Sequence, residues 1–236
     1  VNSASDDAAG LAVAGKMESQ LRGINMSIRN AQDGMGLIQT AESGLNEIRN
    51  MVLRIRELAV QMANGIYENT PDRSNAQLEV TALIDQVTLI AENTRFNDIA
   101  VLDGSFTGVS IQTGNTTAET ITLSFIDVAS SGLSIDTATV ATQSDATVAM
   151  GTMDTALQTI ASEQAKFGSL INRLNFSVAN QSKASVMTEQ AIGRVLDADF
   201  ATETTNLSKQ QILNQAATSM LAQANQSKQS ILALLQ

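Results

Sequence analysis

The nearest approach to a general acid–base pair in this 236-residue chain is Asp197 and Asp199, two carboxylates two residues apart. On a helix, positions i and i+2 diverge, so the two would not share a substrate. The chain has no His and no Cys. A Ser-His-Asp triad, a cysteine nucleophile and the usual zinc ligand sets are therefore excluded. Gly34-Met35-Gly36 is the nearest thing to a phosphate-binding turn, but it falls inside a helical pattern and reads as packing. Between Arg95 and Lys166 there is no Lys or Arg, while eight acids occur: Asp98, Asp103, Glu119, Asp127, Asp136, Asp145, Asp154 and Glu163. Their spacing does not match a divalent-cation loop, and they read as a solvated outer surface. Tyr67, the single tyrosine, sits beside a turn and reads as a packing or capping residue. No catalytic, cofactor or metal residue is assigned.

With chemistry of that kind set aside, the question becomes which elements the sequence builds. The 14 basic residues against 24 acidic ones leave a net charge of −10, the wrong sign for neutralising nucleic-acid phosphates. The longest apolar runs are far short of the roughly 20 residues that span a bilayer, so neither nucleic acid nor membrane insertion is expected. Aromatic residues are only 3% of the chain, which suits long helices packed side by side better than one globular core. The absence of Cys leaves stability to packing. The first residue is Val, and an N-terminally truncated or processed chain is the expectation.

Residues 5–66 contain no Pro. Their apolar residues recur at fours and threes through Met17, Leu21, Ile24, Ile28, Ala31, Met35 and Ile38, then Ala41, Leu45, Ile48, Val52, Ile55, Ala59, Met62 and Ile66. The two successive threes at 35, 38 and 41 read as a stammer in a heptad seam. Ser3 or Ser5 is the expected cap of this helix. Asn64-Gly65 and Asn69-Thr70-Pro71-Asp72 break the pattern. A second helix is predicted at 73–94, folding back antiparallel because the connection is short. Alternation at Ile121, Leu123 and Phe125 predicts a strand, with Val109 and Ile111 before Gly114-Asn115 as its hairpin partner. From about 148 a strict four-three stripe returns, running from Met153 to Val195. A last helix is predicted at 202–235, with the stripe Leu213, Ala217, Met220, Leu221, Ala224, Ile231 and Leu235. Nothing in residues 1–12 is long enough to cover that stripe, so other subunits or an upstream segment are expected to do so. The fold class is thus mainly α: a long antiparallel helical rod or coiled coil with a small β-hairpin region and a short polar insert.

Several segments together resemble bacterial flagellin. They are the opening Val1-Asn2-Ser3-Ala4-Ser5-Asp6-Asp7-Ala8-Ala9-Gly10-Leu11-Ala12, then Arg54-Ile55-Arg56-Glu57-Leu58-Ala59-Val60-Gln61, then Thr94-Arg95-Phe96-Asn97. Near the other end Asp197-Ala198-Asp199-Phe200-Ala201-Thr202-Glu203 and Leu221-Ala222-Gln223-Ala224-Asn225-Gln226 are similar to the family's C-terminal block. The alternative is the hook–filament junction protein, which shares the terminal helices, or a surface adhesin. Junction proteins typically carry a Pro after the paired acids, whereas Ala8-Ala9 follows Asp6-Asp7 here.

The resemblance implies an extracellular, non-enzymatic filament subunit that polymerises with itself for motility and needs no cofactor. It implies four divisions: N-terminal rod helices over 1–104, a hairpin and short variable insert over 105–149, a C-terminal rod helix over 150–198 and a filament-core helix over 199–236. It also implies partners: an export chaperone on the C-terminal helix, cap and hook-associated proteins, and a flagellin-sensing Toll-like receptor of an animal host. The positions matching the receptor-contact motif are Arg54, Leu58 and Glu79, with Gln61 nearby. Arg54, Leu58 and Gln61 recur at four and three, on one helical face.

Overall fold

The computed structural model describes Val1, residues 3–197 and residues 199–234, with side chains described as far as Gln226. Asn2 and Ala198 of the motifs above, and Leu235 of the terminal stripe, lie outside what is described, as does the side chain of Ile231. The helices are α1 (Ala8–Met62), α2 (Ser74–Asn93), α3 (Gln143–Leu196) and α4 (Phe200–Leu234). Strands β1 (Arg95–Phe96) and β2 (Ile99–Ala100) form one antiparallel pair, and β3 (Val109–Gln112) and β4 (Thr120–Leu123) another. The expected fold class, long helices with a small β region, is what the chain adopts. It divides into two compact units, Ser19–Thr188 and Val1–Glu18 with Glu189–Gln236.

Within Ser19–Thr188 the predicted seam of α1 is buried from Ala31 through Ile38, Ala41, Leu45, Ile48, Val52, Ile55 and Ala59 to Met62. The seam continues across the stammer. Leu37 and Leu58 are buried as well, because α1 is packed on more than one side. Helix α2 returns along α1: Arg73 lies by Met62 and Arg54 by Glu79, while Gly44 meets Thr94 so closely that a Cβ there would sit 2.7 Å from the Thr94 hydroxyl. Helix α3 also runs antiparallel to α1. Gln143 bonds the Ala63 carbonyl, Asp154 bonds Arg56, Gln164 bonds Asn46 and Ser185 bonds Asn25.

The middle of the chain contributes more to the core than its polarity suggests. Phe106 and Phe125 stack at 4.9 Å, and Phe125 meets Phe167 of α3 edge-on at 4.7 Å. Val128, Ile135 and Val140 are also buried. Gln77 of α2 ties this segment down, its Oε1 accepting from Thr139 and from the Val140 N–H. The long hairpin is as predicted, with Ile111 opposite Ile121, although its connection runs over residues 113–119 rather than a two-residue turn. The short β1–β2 hairpin has no apolar alternation to announce it. Its turn is Asn97-Asp98, both at positive φ (49° and 63°), the left-handed pair that a tight hairpin needs.

Two helix starts differ from expectation. Asp7, not Ser3 or Ser5, caps α1, its Oδ1 accepting from the Ala9 and Gly10 N–H groups. Helix α3 starts five residues earlier than its apolar stripe suggests. Thr142 and Asp145 form a reciprocal cap there: the Thr142 hydroxyl accepts from the Asp145 N–H and donates to its carboxylate.

Candidate interaction surfaces

The turn that closes α1 onto α2 is organised by Arg73, which is only 4% exposed. Its Nε donates to the Met62 carbonyl and its Nη2 to the Asn64 carbonyl; Nη1 donates to Tyr67 O and Asn69 Oδ1. No carboxylate among these partners neutralises it. The charge sits instead among the free carbonyls at the negative end of α1. Sequence reasoning missed this residue, since nothing in its neighbours marks it as buried. Tyr67 takes the packing role expected of it: its ring packs against the core, and its hydroxyl accepts from Gln61 Nε2 at 3.3 Å.

Beside this turn the structure brings Arg54 and Glu79 together across α1 and α2. Arg54 Nε donates to Glu79 Oε1 at 2.9 Å, and its Nη1 reaches Glu57 at 3.3 Å. The hydrogen bond to Glu79, then that to Glu57, raises the Arg54 pKa further above its already high value. Both Arg54 and Glu79 are about half exposed, and Gln61 is exposed. Leu58 is not available with them, being 4% exposed and part of the core. The expected single face of Arg54, Leu58 and Gln61 is thus split: a polar pair with Glu79 at the surface and an apolar anchor beneath. A second exposed ion pair, Arg56 with Asp154 at 2.6 Å, links α1 to α3.

Of the two acids before α4, Asp199 has a structural use. Neither Asp197 nor Asp199 is helical, so the i, i+2 argument does not apply to them. Asp199 caps α4. The Thr202 hydroxyl, the Thr202 N–H and the Ala201 N–H donate to its carboxylate and hold its pKa below the usual aspartate value. Helix α4 then presents Leu213, Met220 and Leu221 to solvent, each more than half exposed, and Ala217 and Ala224 are exposed as well. Among the described residues, no group of three or more acids is placed to hold a metal ion, and no helix is long and apolar enough to cross a membrane.

With these surfaces defined, comparison with known proteins is informative. The family profile of the bacterial flagellin N-terminal helical region matches residues 1–107, and that of the flagellin C-terminal helical region matches residues 150–235. The chain is 39% identical over 253 residues to the flagellar filament 31.3 kDa core protein of Treponema maltophilum, covering all of this chain and 88% of that protein. The crystal structure of Bacillus cereus flagellin is similar at 35% identity and a TM-score of 0.59, over 65% of this chain and 88% of that one. A putative flagellar hook-associated protein from Vibrio parahaemolyticus shares the fold alone, at 13% identity and a TM-score of 0.66 over 81% of this chain and all of that one.

Proposed function

The chain belongs to the bacterial flagellin family, and from that premise we propose how its surfaces serve a filament. It is a structural subunit that polymerises with copies of itself into the extracellular bacterial flagellar filament, the organelle of motility. No observation favours a junction protein or an adhesin. A filament needs heterologous contacts that do not close, in which one face meets a different face of the next copy.

The observation that carries the assembly reading is the apolar stripe of α4. Leu213, Ala217, Met220, Leu221 and Ala224 are exposed along it, and apolar surface of this extent is covered in a functional assembly. In our reading neighbouring subunits cover it, with Ile231 and Leu235 continuing the stripe. Residues 1–104 and 150–198 act as rod helices, 105–149 as hairpin and insert, and 199–236 as the filament-core helix. Before assembly the same α4 stripe is the surface for an export chaperone, and at the filament ends it meets cap and hook-associated proteins. The role is non-enzymatic.

The test is seeded growth under negative-stain microscopy. The full-length protein is expected to extend filament fragments into long filaments, and a version ending at Asp199 to leave them unextended. Equal growth by both would remove α4 from assembly.

A host Toll-like receptor is proposed to read the Arg54–Glu79 pair with Gln61, while Leu58 supports that surface from the core. Glu79→Lys places two cations together and is expected to reduce receptor-driven reporter signalling by about tenfold, in line with loss of a central interface residue. A variant signalling like the parent would place the recognised surface elsewhere.

A further inference from the structure

Asn64-Gly65, where the α1 pattern breaks, is the single Asn-Gly pair in the chain. Both residues are exposed. An asparagine followed by glycine is open to attack by its own main chain, because no Cβ holds the next backbone nitrogen away from the side-chain amide. The fold itself does not require glycine here. Gly65 does not adopt a positive φ, and a Cβ on it would meet Gln143 Nε2 at an ordinary 3.6 Å. The turn would therefore accept alanine at this position.

The hydrogen bonds around the pair lie where that attack develops charge. The nucleophile is the Gly65 nitrogen after loss of its proton, and this N–H donates to none of the described residues. Negative charge on that nitrogen is shared with the Asn64 main-chain oxygen. Arg73 Nη2 donates to this oxygen at 3.0 Å and the Tyr67 N–H at 3.4 Å, so a cation and an amide stabilise the anion as it forms. The electrophile is the Asn64 side-chain carbon, Cγ. Its Oδ1 already accepts from the Ile66 N–H at 3.3 Å, a donor placed where the tetrahedral intermediate carries its charge.

We propose that Asn64 is a site of spontaneous conversion to isoaspartate, steered by Arg73. Hydroxide takes the Gly65 amide proton, and the nitrogen forms a bond to Asn64 Cγ. The Cγ–Nδ2 bond breaks, and the nitrogen leaves as ammonia with a proton taken from water. The product is a five-membered succinimide ring. Water then adds to the former main-chain carbonyl carbon, and the bond from that carbon to the Gly65 nitrogen breaks. The chain now runs through Cβ and Cγ, and the freed carbon becomes a carboxylate. That carboxylate carries the oxygen Arg73 already holds. Arg73 is 4% exposed and has no carboxylate among its hydrogen-bond partners, so opening in this direction gives a buried guanidinium its counter-charge. Opening at Cγ, to ordinary aspartate, leaves the oxygen facing Arg73 neutral.

Peptide mass spectrometry of the full-length protein, aged in mildly alkaline buffer, tests this. Asn64 is expected to convert about tenfold faster than the other asparagines of the chain, and at least as fast in the folded protein as in urea. In heavy-oxygen water the new carboxylate should carry one heavy oxygen. Labelling by an isoaspartyl methyltransferase separates isoaspartate from aspartate. Their ratio at position 64 should be about twofold higher in the folded chain than in urea, where Arg73 is no longer held against the main-chain oxygen. Gly65→Ala should slow the conversion about tenfold, with helix content by circular dichroism unchanged. Slower conversion folded than in urea, or conversion of the Gly65→Ala variant at the parent rate, overturns the site. The same product ratio in both states overturns the steering by Arg73.

Discussion

Two buried charges are neutralised in different ways. Arg73 is satisfied by oxygens of the turn it organises. Removing it leaves the buried Met62 carbonyl and three part-buried acceptors without this donor, so Arg73→Ala is expected to destabilise the chain by about 3 kcal/mol, read from the shift in urea midpoint. Lys would not replace it, having one nitrogen where the guanidinium fork reaches carbonyls on different sides. Glu163 is 1% exposed in α3, yet only its Oε2 is bonded, to Lys166 at 2.9 Å. Lys166 is itself 55% exposed. Taking away the lysine strands a buried carboxylate, whereas taking away the carboxylate strands nothing. Lys166→Ala should therefore cost about 3 kcal/mol, while Glu163→Leu should be neutral or stabilising by about 1 kcal/mol. Thermal unfolding of the two variants side by side checks the asymmetry; equal losses would show that the pair itself matters. Neither burial was legible in the sequence. Glu163 is next to Gln164, which the four-three spacing counted from Met153 puts on the seam, and period counting cannot decide which of two adjacent residues turns inward when a helix packs on more than one side.

At the scale of elements, apolar spacing predicted the long helices and the antiparallel return of α2, because a buried stripe leaves a 3.6-residue signature. Their ends were less legible. Asp7, Thr142 and Asp199 begin helices through side-chain acceptors, and many Ser, Thr and Asp residues nearby could have served equally. The Asp199 cap carries a pH signature. Its native pKa lies below the ordinary 3.8, so its contribution is fully present above that value and is lost as pH falls through the lowered one. The first turn of α4 should fray in acid, seen as faster amide exchange at residues 201–203. Asp199→Asn keeps an uncharged acceptor and should show the same exchange at both pH values, once intrinsic rates are corrected for. The β1–β2 hairpin was missed because its strands are two residues long and carry no alternation.

For the whole molecule, the terminal segments carried family-specific residues, and these made the filament role readable before any geometry. The middle was harder to read. Its acids suggested an outer surface, and several do face water, but Phe106, Phe125, Ile135 and Val140 complete the core. Three aromatic rings in contact explain how an aromatic-poor chain closes a core at all: they are gathered at one place, where the middle segment crosses α3. The connection between β3 and β4 behaves otherwise. Residues 115–118 are exposed, while Thr113 before them is clamped by Ser177 and Gln181 of α3. A foreign peptide spliced into 115–118 would leave from an anchored base, and lengthening that loop costs only about 0.6 kcal/mol per doubling. The same peptide spliced beside Val128, Ile135 or Val140 would have to displace the core. If subunits repeat along a filament, that loop is the natural place from which to display an antigen or enzyme in a dense array.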